Sequence, residues 1–187
     1  MAGYMTYWPQ DRIAVLKKAG DTGPIQVAFG SLHTRMPTIA SVQVGDILYP
    51  ITFMDGTICV MARLPVEKKE SAYDYLVREL GNQRGALVPD GVDEFAYYGT
   101  PMKPHKEHQE PFNCCSQHAV SGTRGSSIEP RPLPRELLPE LRFGPKGKEK
   151  GIKFNQKGAV VTSCLNFTRR LDSKTFEIFE ALFQDEA

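Results

Sequence analysis

The sequence lacks a run of 18 apolar residues, so it has no segment long enough to cross a bilayer as a helix, and we expect no membrane partner. Its opening residues, MAGYMTYWPQDR, have neither the basic start nor the apolar core of a secretory signal, which favours a cytoplasmic protein. Cysteine is scarce, with four in 187 residues, and the adjacent pair Cys114 and Cys115 is an awkward basis for a disulfide framework. We therefore expect reduced thiols.

No complete catalytic motif is present, and the GxxxxGK[ST] order of a Walker loop is missing. The net charge is only +1, but its distribution is uneven. Between Arg124 and Arg170, 11 Lys and Arg stand against 4 Glu, whereas elsewhere 12 basic residues stand against 18 acidic ones. This asymmetry fits either a polyanionic partner or a solvated surface that is merely unevenly charged.

The sequence does have enough apolar material for a core, with 41% hydrophobic and 10% aromatic residues, and its length favours a single domain over residues 1–187. Residues 82–136, rich in Gly, Pro, Ser and His, form a long loop-rich insertion in this prediction. Periodicity and turn signals predict an α+β fold, with a strand at 4–8, a helix at 11–20, a strand at 24–29, a hairpin within 47–66, a helix at 70–81, a helical turn or two within 134–144, a strand at 158–170 and a helix at 172–184.

Local signals sharpen several of these elements. Asp55-Gly56 between two β-rich runs predicts a tight hairpin turn, because glycine accepts a positive φ without a Cβ clash. Ser71 is placed to cap the helix at 70–81. Pro50 cannot donate to a ladder, so it predicts that its strand lies at a sheet edge or carries a bulge.

An aromatic YW strand, a helix, and the segments SLHTR, VQVGDILYPI and GTICVMARLPV follow each other between residues 4 and 80. This order resembles the PUA-like superfamily, in particular its ASCH and EVE branches, in which a Gly-Asp turn precedes a strand of a small β-barrel. The expected fold is therefore a small PUA-like β-barrel with 4–80 as its core region, peripheral helices and a C-terminal strand-helix extension.

The match to the residues of that family is partial. ASCH proteins carry a Gly, Lys, Glu, Arg set ahead of the Gly-Asp turn. Here Gly30 and Arg35 match, His33 occupies the neighbourhood of the lysine, and the glutamate has no placed counterpart. The resemblance implies a cleft on the barrel that holds RNA, a modified base or a nucleotide-like ligand.

His33 and Arg35 are the first candidates for gripping such a ligand. On a strand they would face the same side, where an arginine fork can hold a phosphate and an imidazole can add a hydrogen bond. The alternative is a surface loop in which Arg35 pairs with a carboxylate such as Asp46. Tyr7 and Trp8 are candidate stacking faces for a base, with packing in the core as their alternative use.

The segment FGPKGKEKGIKFNQKG provides further candidates. Its glycines let backbone amides approach a phosphate, and its lysines supply neutralising charge. A flexible, solvated loop is the alternative. The candidate phosphate contacts in this segment and in the strand that follows are Lys146, Lys148, Lys150, Arg169 and Arg170.

The segment HKEHQEPFNCCSQH holds three of the four histidines and two of the four cysteines. Zinc favours imidazole and thiolate ligands in a tetrahedron, so His105, His108, Cys115 and His118 form a candidate zinc set, although their spacing is not that of a standard finger. The alternative is a surface loop with buried thiols. No nucleophile motif surrounds Cys115, so a catalytic thiolate is not favoured.

The interpretation that these patterns favour is binding of nucleic acid, either RNA or modified-base DNA, or of a nucleotide-like ligand, with no required cofactor. One alternative is a small zinc-assisted hydrolase that acts on a nucleic-acid or nucleotide substrate. Another is a protein-interaction or immunity-type module without ligand chemistry. The sequence alone leaves open whether the protein is an enzyme.

Overall fold

The computed structural model describes residues 1–31, 39–81, 86–87, 96–97, 102–111 and 116–184. The α-helices in these residues are α1 (Gln10–Ala19), α2 (Ala72–Leu80) and α3 (Ser173–Ala181). The strands are β1 (Gly3–Tyr7), β2 (Val27–Ser31), β3 (Ile47–Met54), β4 (Thr57–Val60), β5 (Leu64–Pro65), β6 (Lys68–Ser71), β7 (Ala86–Leu87), β8 (Ala96–Tyr97), β9 (Ser116–Ser121), β10 (Arg131–Pro132), β11 (Arg142–Phe143), β12 (Lys150–Gly151) and β13 (Arg169–Arg170). Short 3-10 helices lie at Ile39–Ser41, Glu107–Gln109, Arg135–Glu140 and Thr162–Cys164.

The strands form a central sheet and a smaller second sheet. In the central sheet the strand order is β10-β4-β3-β1-β13, and β5 also pairs with β3. β1 runs parallel to β3, whereas β13 is antiparallel to β1. The second sheet has the order β2-β9-β6 and is antiparallel throughout. β7 with β8 and β11 with β12 are separate two-stranded pairs.

Alternation along the strands explains how the central sheet is covered. On β3 and β4, Tyr49 and Ile58 face one core cluster, whereas Leu48 and Cys59 face another. Because successive side chains point to opposite faces of a strand, both faces of this sheet are buried. One face packs against α3, through residues such as Phe179, and the other packs against α1 and the second sheet.

The second sheet has its own outer layer. Its strands turn Ala28 and Val120 toward the central sheet, and Val27 and Ala119 toward α2. α2 buries an apolar stripe there, which consists of Ala72, Tyr75, Leu76 and Leu80. The described chain is thus a layered α+β fold, which confirms the predicted class.

Capping residues define the ends of the helices, and Ser71 is the one predicted above. α1 ends at Gly20, whose φ of 66° is the left-handed conformation expected of a glycine C-cap. At the start of α2, Ser71 accepts the backbone N–H of Asp74. At the start of α3, Asp172 accepts the N–H of Thr175 and is therefore the residue that caps this helix.

The predicted hairpin is confirmed, but the strand with Pro50 is not at an edge. Asp55 and Gly56 have φ values of 52° and 77° and join β3 to β4, as expected for a two-residue hairpin turn. β3 lies between β1 and β4, so the edge-strand expectation is wrong. The N–H of Met61 donates to the Pro50 carbonyl. The ring nitrogen of Pro50, which has no hydrogen to donate, faces the same side of β3. On that side β4 has already ended and β5 has not yet begun. The irregularity therefore lies in the partner strand.

Two further predictions are corrected. The strand predicted over 158–170 is reduced to β13, because residues 162–164 turn as a 3-10 helix that the N–H of Leu165 closes on the carbonyl of Thr162. β13 and α3 also belong to the main core rather than to an extension, since Phe179 is fully buried against the central sheet. No sheet formed by the described residues closes into a barrel.

The loop-rich region at 82–136 contributes to both sheets. β9 is the central strand of the second sheet, and β10 borders the central sheet. Of the helices in the described ranges, none combines the length and the apolarity needed to cross a bilayer.

Candidate anion-binding groove

The β13 edge of the central sheet brings together residues from distant parts of the chain. Arg170 on β13 lies directly opposite Tyr4 on β1. Cross-strand partners share a face of the sheet, so these two side chains are neighbours. Just before β13, Thr168 Oγ1 donates to Thr6 Oγ1 at 3.2 Å. This buried bond fixes the backbone that leads into β13.

A glycine-lysine turn is fastened to β13. The N–H of Gly144 donates to the carbonyl of Arg170 at 2.8 Å. The next four residues, 145–148, form a tight turn in which the fourth N–H bonds to the first carbonyl at 2.9 Å. Gly147 stands third in this turn with a φ of 77°, a conformation that glycine adopts without steric cost. The turn therefore presents the exposed Lys146 next to β13.

These elements surround a groove of about 290 Å³. Three cationic side chains and three hydroxyl-bearing side chains line it, namely Lys146, Arg169, Arg170, Tyr4, Ser41 and Thr168. None of the three cations forms an ion pair with any residue that the structure describes. Within the described part of the chain, no carboxylate therefore neutralises the positive charge of the groove through an ion pair.

The Gly45-Asp46 corner organises the neighbouring wall. Asp46 Oδ1 accepts the N–H of Ala2 at 2.8 Å, and its Oδ2 accepts the N–H of Gln43 at 3.0 Å. Both carboxylate oxygens thus have backbone donors. Burial, and then the negative charge of Asp46, raises the pKa of the Tyr4 hydroxyl. Tyr4 therefore keeps its proton at neutral pH and can donate a hydrogen bond to an anion.

The side chains of this groove suit a phosphorylated ligand that carries a ring. An arginine holds a phosphate through two N–H groups in a fixed plane, whereas a lysine acts as a mobile point charge. The half-buried Tyr4 ring adds apolar surface beside these donors.

Two larger cavities have cationic side chains that are already paired. In one of about 380 Å³, Arg63 donates to Glu180 at 2.6 and 3.1 Å, and the buried Tyr49 hydroxyl donates to the same carboxylate. Burial would raise the pKa of Glu180, but these hydrogen bonds outweigh it and hold the pKa below its usual range. In the other, of about 350 Å³, Arg78 donates to Glu70 at 2.7 Å. An anion would have to displace a carboxylate from either arginine.

Only some of the predicted phosphate contacts line the groove. Lys146, Arg169 and Arg170 line the groove, whereas Lys148 and Lys150 do not. Lys148 ends the tight turn, and Lys150 belongs to β12, which pairs with β11 instead of the groove strands. Both side chains are exposed, so they add positive charge near the groove without forming its wall.

The predicted stacking faces lie in or against the core. Trp8 is 8% exposed, and the guanidinium carbon of Arg12 lies 5.6 Å from the centre of its ring. Tyr7 is half-buried against the core cluster that contains α3. Core packing, the alternative use for both residues, is therefore the arrangement that the structure favours. The predicted grip residues His33 and Arg35 lie outside the described residues.

Two of the predicted zinc ligands have other partners. His108 and Asp21 have side chains only 1% and 2% exposed, and His108 Nδ1 lies 2.8 Å from Asp21 Oδ2. The backbone N–H of Gln26 lies 3.3 Å from His108 Nε2. Because that N–H can only donate, Nε2 accepts and Nδ1 carries the proton, so both ring nitrogens are occupied. His105 Nε2 bonds to Glu110.

The rest of the zinc set is not gathered in the described structure. His118 lies on β9, opposite Gly30 and Ser71 of the adjacent strands. Cys115 lies outside the described residues. Within the described ranges, no group of three or more His, Cys, Asp and Glu side chains is arranged to hold a metal ion. Zinc binding by this segment stays a prediction from the sequence.

Sequence reasoning does not find Tyr4, Ser41 or Thr168 as lining residues. Alternation along the first strand places Tyr4 on the face opposite Tyr7, which is a usable signal. What the sequence does not provide is the pairing of this strand with Arg170, because that contact joins residues far apart in the chain. Comparisons with protein-family models, with curated proteins and with solved structures find no match to this chain.

Proposed function

We propose that the protein binds nucleic acid, RNA or modified-base DNA, or a nucleotide-like ligand, and that the groove at the β13 edge holds its phosphates. The observation that carries this proposal is the convergence of Lys146, Arg169 and Arg170 on one groove without ion-pair partners among the described residues. Hydroxyl donors and a half-buried aromatic ring in the same groove support a phosphate linked to a ring. Exposed Lys148 and Lys150 extend the positive field beyond its wall.

A PUA-like relationship remains part of the proposal. The order of a strand, a helix and a strand that follows the Gly45-Asp46 corner supports it. In this proposal the ligand lies next to that corner, on the side where Ser41 lines the groove. Arg35 and His33 are proposed as additional ligand contacts from the segment that leads into this wall.

The experiment is binding of single-stranded RNA, single-stranded DNA and modified-base duplexes across a salt series from about 50 to 200 mM. For single strands the logarithm of affinity falls with the logarithm of salt by about 0.7 for each phosphate contact. Arg170→Gln should therefore lower the slope by about 0.7 and, through counterion release alone, weaken binding about eightfold at 50 mM salt and about threefold at 200 mM. Lys146→Gln should act in the same direction.

The matched control is Arg124→Gln. It removes the same charge from an exposed arginine that pairs with Glu67 and does not line the groove. If both arginine variants lose the same affinity, net charge rather than the groove explains binding. Absence of binding to every probe at about 50 mM salt, where phosphate contacts are strongest, rejects the proposal.

A further inference from the structure

Phe167 has a backbone conformation that is costly for a bulky residue. Its φ is 78°, in the left-handed region where a Cβ crowds the following carbonyl. A large side chain is a genuine outlier there, and such strain persists only when the surrounding structure imposes it. Phe167 is also 38% exposed, so the strained backbone holds an aromatic side chain partly in solvent.

Contacts on both sides impose this conformation. Leu165, two residues earlier, is fully buried in the core. Thr168 is held by its buried bond to Thr6. Arg169 Nε donates to the carbonyl of Asn166 at 3.1 Å, which closes the bend across Phe167. These contacts hold the chain on both sides of Phe167, whose phenyl ring is partly exposed.

The ring is adjacent in the chain to the cationic groove. Thr168, Arg169 and Arg170 are the three residues that follow Phe167, and all three line the groove. A positively charged groove together with an aromatic side chain on which bases can stack is the combination used by proteins that bind single-stranded nucleic acid. Cations hold the backbone phosphates, and the ring stacks on a base.

We propose that Phe167 is a stacking platform for a nucleobase, and that the ligand of the groove is a single-stranded nucleic acid. This inference rests on the proposed function, because the ring can only act on a ligand whose phosphates the groove holds. It specifies that ligand further: the bases must be unpaired, since a base within a duplex has both faces covered.

The test measures binding of two single-stranded probes of ten nucleotides at about 50 mM salt. One is oligothymidylate, and the other is an abasic strand with the same number of phosphates. Phe167→Ala and Phe167→Gly both remove the ring, and glycine also relieves the strain. Both variants should bind oligothymidylate about 5- to 150-fold more weakly than the parent protein and bind the abasic strand as the parent does. The glycine variant should melt at a higher temperature than the alanine variant. Tyr73→Ala, which removes an aromatic side chain of the same 38% exposure from α2, should change neither affinity.

The outcomes separate this inference from the proposed function. Unchanged affinity of both Phe167 variants for oligothymidylate overturns the stacking role and leaves the groove in place. Equal weakening toward both probes also overturns it, since the ring would then only position the cations. If the two variants melt alike, the strained backbone is not a feature of the protein in solution and the argument from it fails. If the parent protein binds neither probe, the proposed function fails, and the inference falls with it.

Discussion

Replacing Asp21 with alanine removes an acceptor that three buried donors share. Asp21 accepts the backbone N–H of His108 at 2.7 Å, the backbone N–H of Gly23 at 3.0 Å and the imidazole Nδ1–H of His108 at 2.8 Å. Through these bonds one carboxylate joins the end of α1 to the segment at 102–111. A buried donor left without an acceptor costs about 1–3 kcal/mol. Water that enters the vacated space satisfies part of this loss, so we expect Asp21→Ala to lower the free energy of unfolding by about 3–5 kcal/mol.

The assay is urea denaturation at pH 7 followed by circular dichroism, with amide hydrogen exchange as a local measurement. The amides of Gln26 and His108 should lose protection first, because their partners are the ones removed or released. Asp11→Ala is the control, since Asp11 is an exposed carboxylate in the first turn of α1 and should cost less than about 1 kcal/mol. A loss below about 1 kcal/mol for Asp21→Ala would refute the reasoning.

Three further predictions concern other parts of the structure. Burial lowers the pKa of His108 below 6.5 despite its carboxylate partner. Because the unfolded chain then binds more protons than the folded one, the free energy of unfolding should fall as the pH drops below about 6.5. His108→Gln should flatten this pH dependence in urea titrations at several pH values. Tyr49→Phe removes one hydrogen bond to Glu180 and should cost about 1 kcal/mol in the same assay, and a neutral result would mean that water replaces the hydroxyl. Gly125→Ala should cost about 3 kcal/mol, because its Cβ would lie 1.7 Å from the carbonyl oxygen of Ile25, and an unchanged melting temperature would contradict that close approach.

The elements that the sequence predicts well are those with short-range causes. Gly20 ends α1, Ser71 caps α2, and Asp55-Gly56 turns the hairpin, in each case because a few neighbouring residues determine the conformation. The helix predicted over 172–184 also has a local cause, since its phenylalanines recur at helical spacing, and Phe179 is buried in the core. These features need no knowledge of the rest of the fold.

The elements that the sequence predicts poorly depend on distant partners. Pro50 can lie inside the sheet because its nitrogen, which cannot donate a hydrogen bond, faces the gap between the end of β4 and the start of β5. The residues around Pro50 in the sequence do not predict that gap. The β-branched run after Val160 turns into a 3-10 helix because Leu165 is drawn into the core. Local propensity favours a strand there, and tertiary packing overrides it.

The same distinction applies to the groove. Positive charge between Arg124 and Arg170 predicts its cationic side, and three of the five predicted phosphate contacts line it. Its other side comes from Tyr4 and Ser41, and nothing near those residues in the chain indicates an anion site. The strain at Phe167 is also absent from the sequence, because a positive φ at phenylalanine is imposed by anchors on either side rather than favoured by the residue.

The pairing of β1 with β13 has a consequence for biosynthesis. Tyr4 is translated long before Arg170, the cationic residue that lies opposite it. A nascent chain can therefore form the parallel β1-β3 pair long before β13 exists to complete the groove. The groove is therefore complete only when β13, which carries two of its three cationic side chains, pairs with β1.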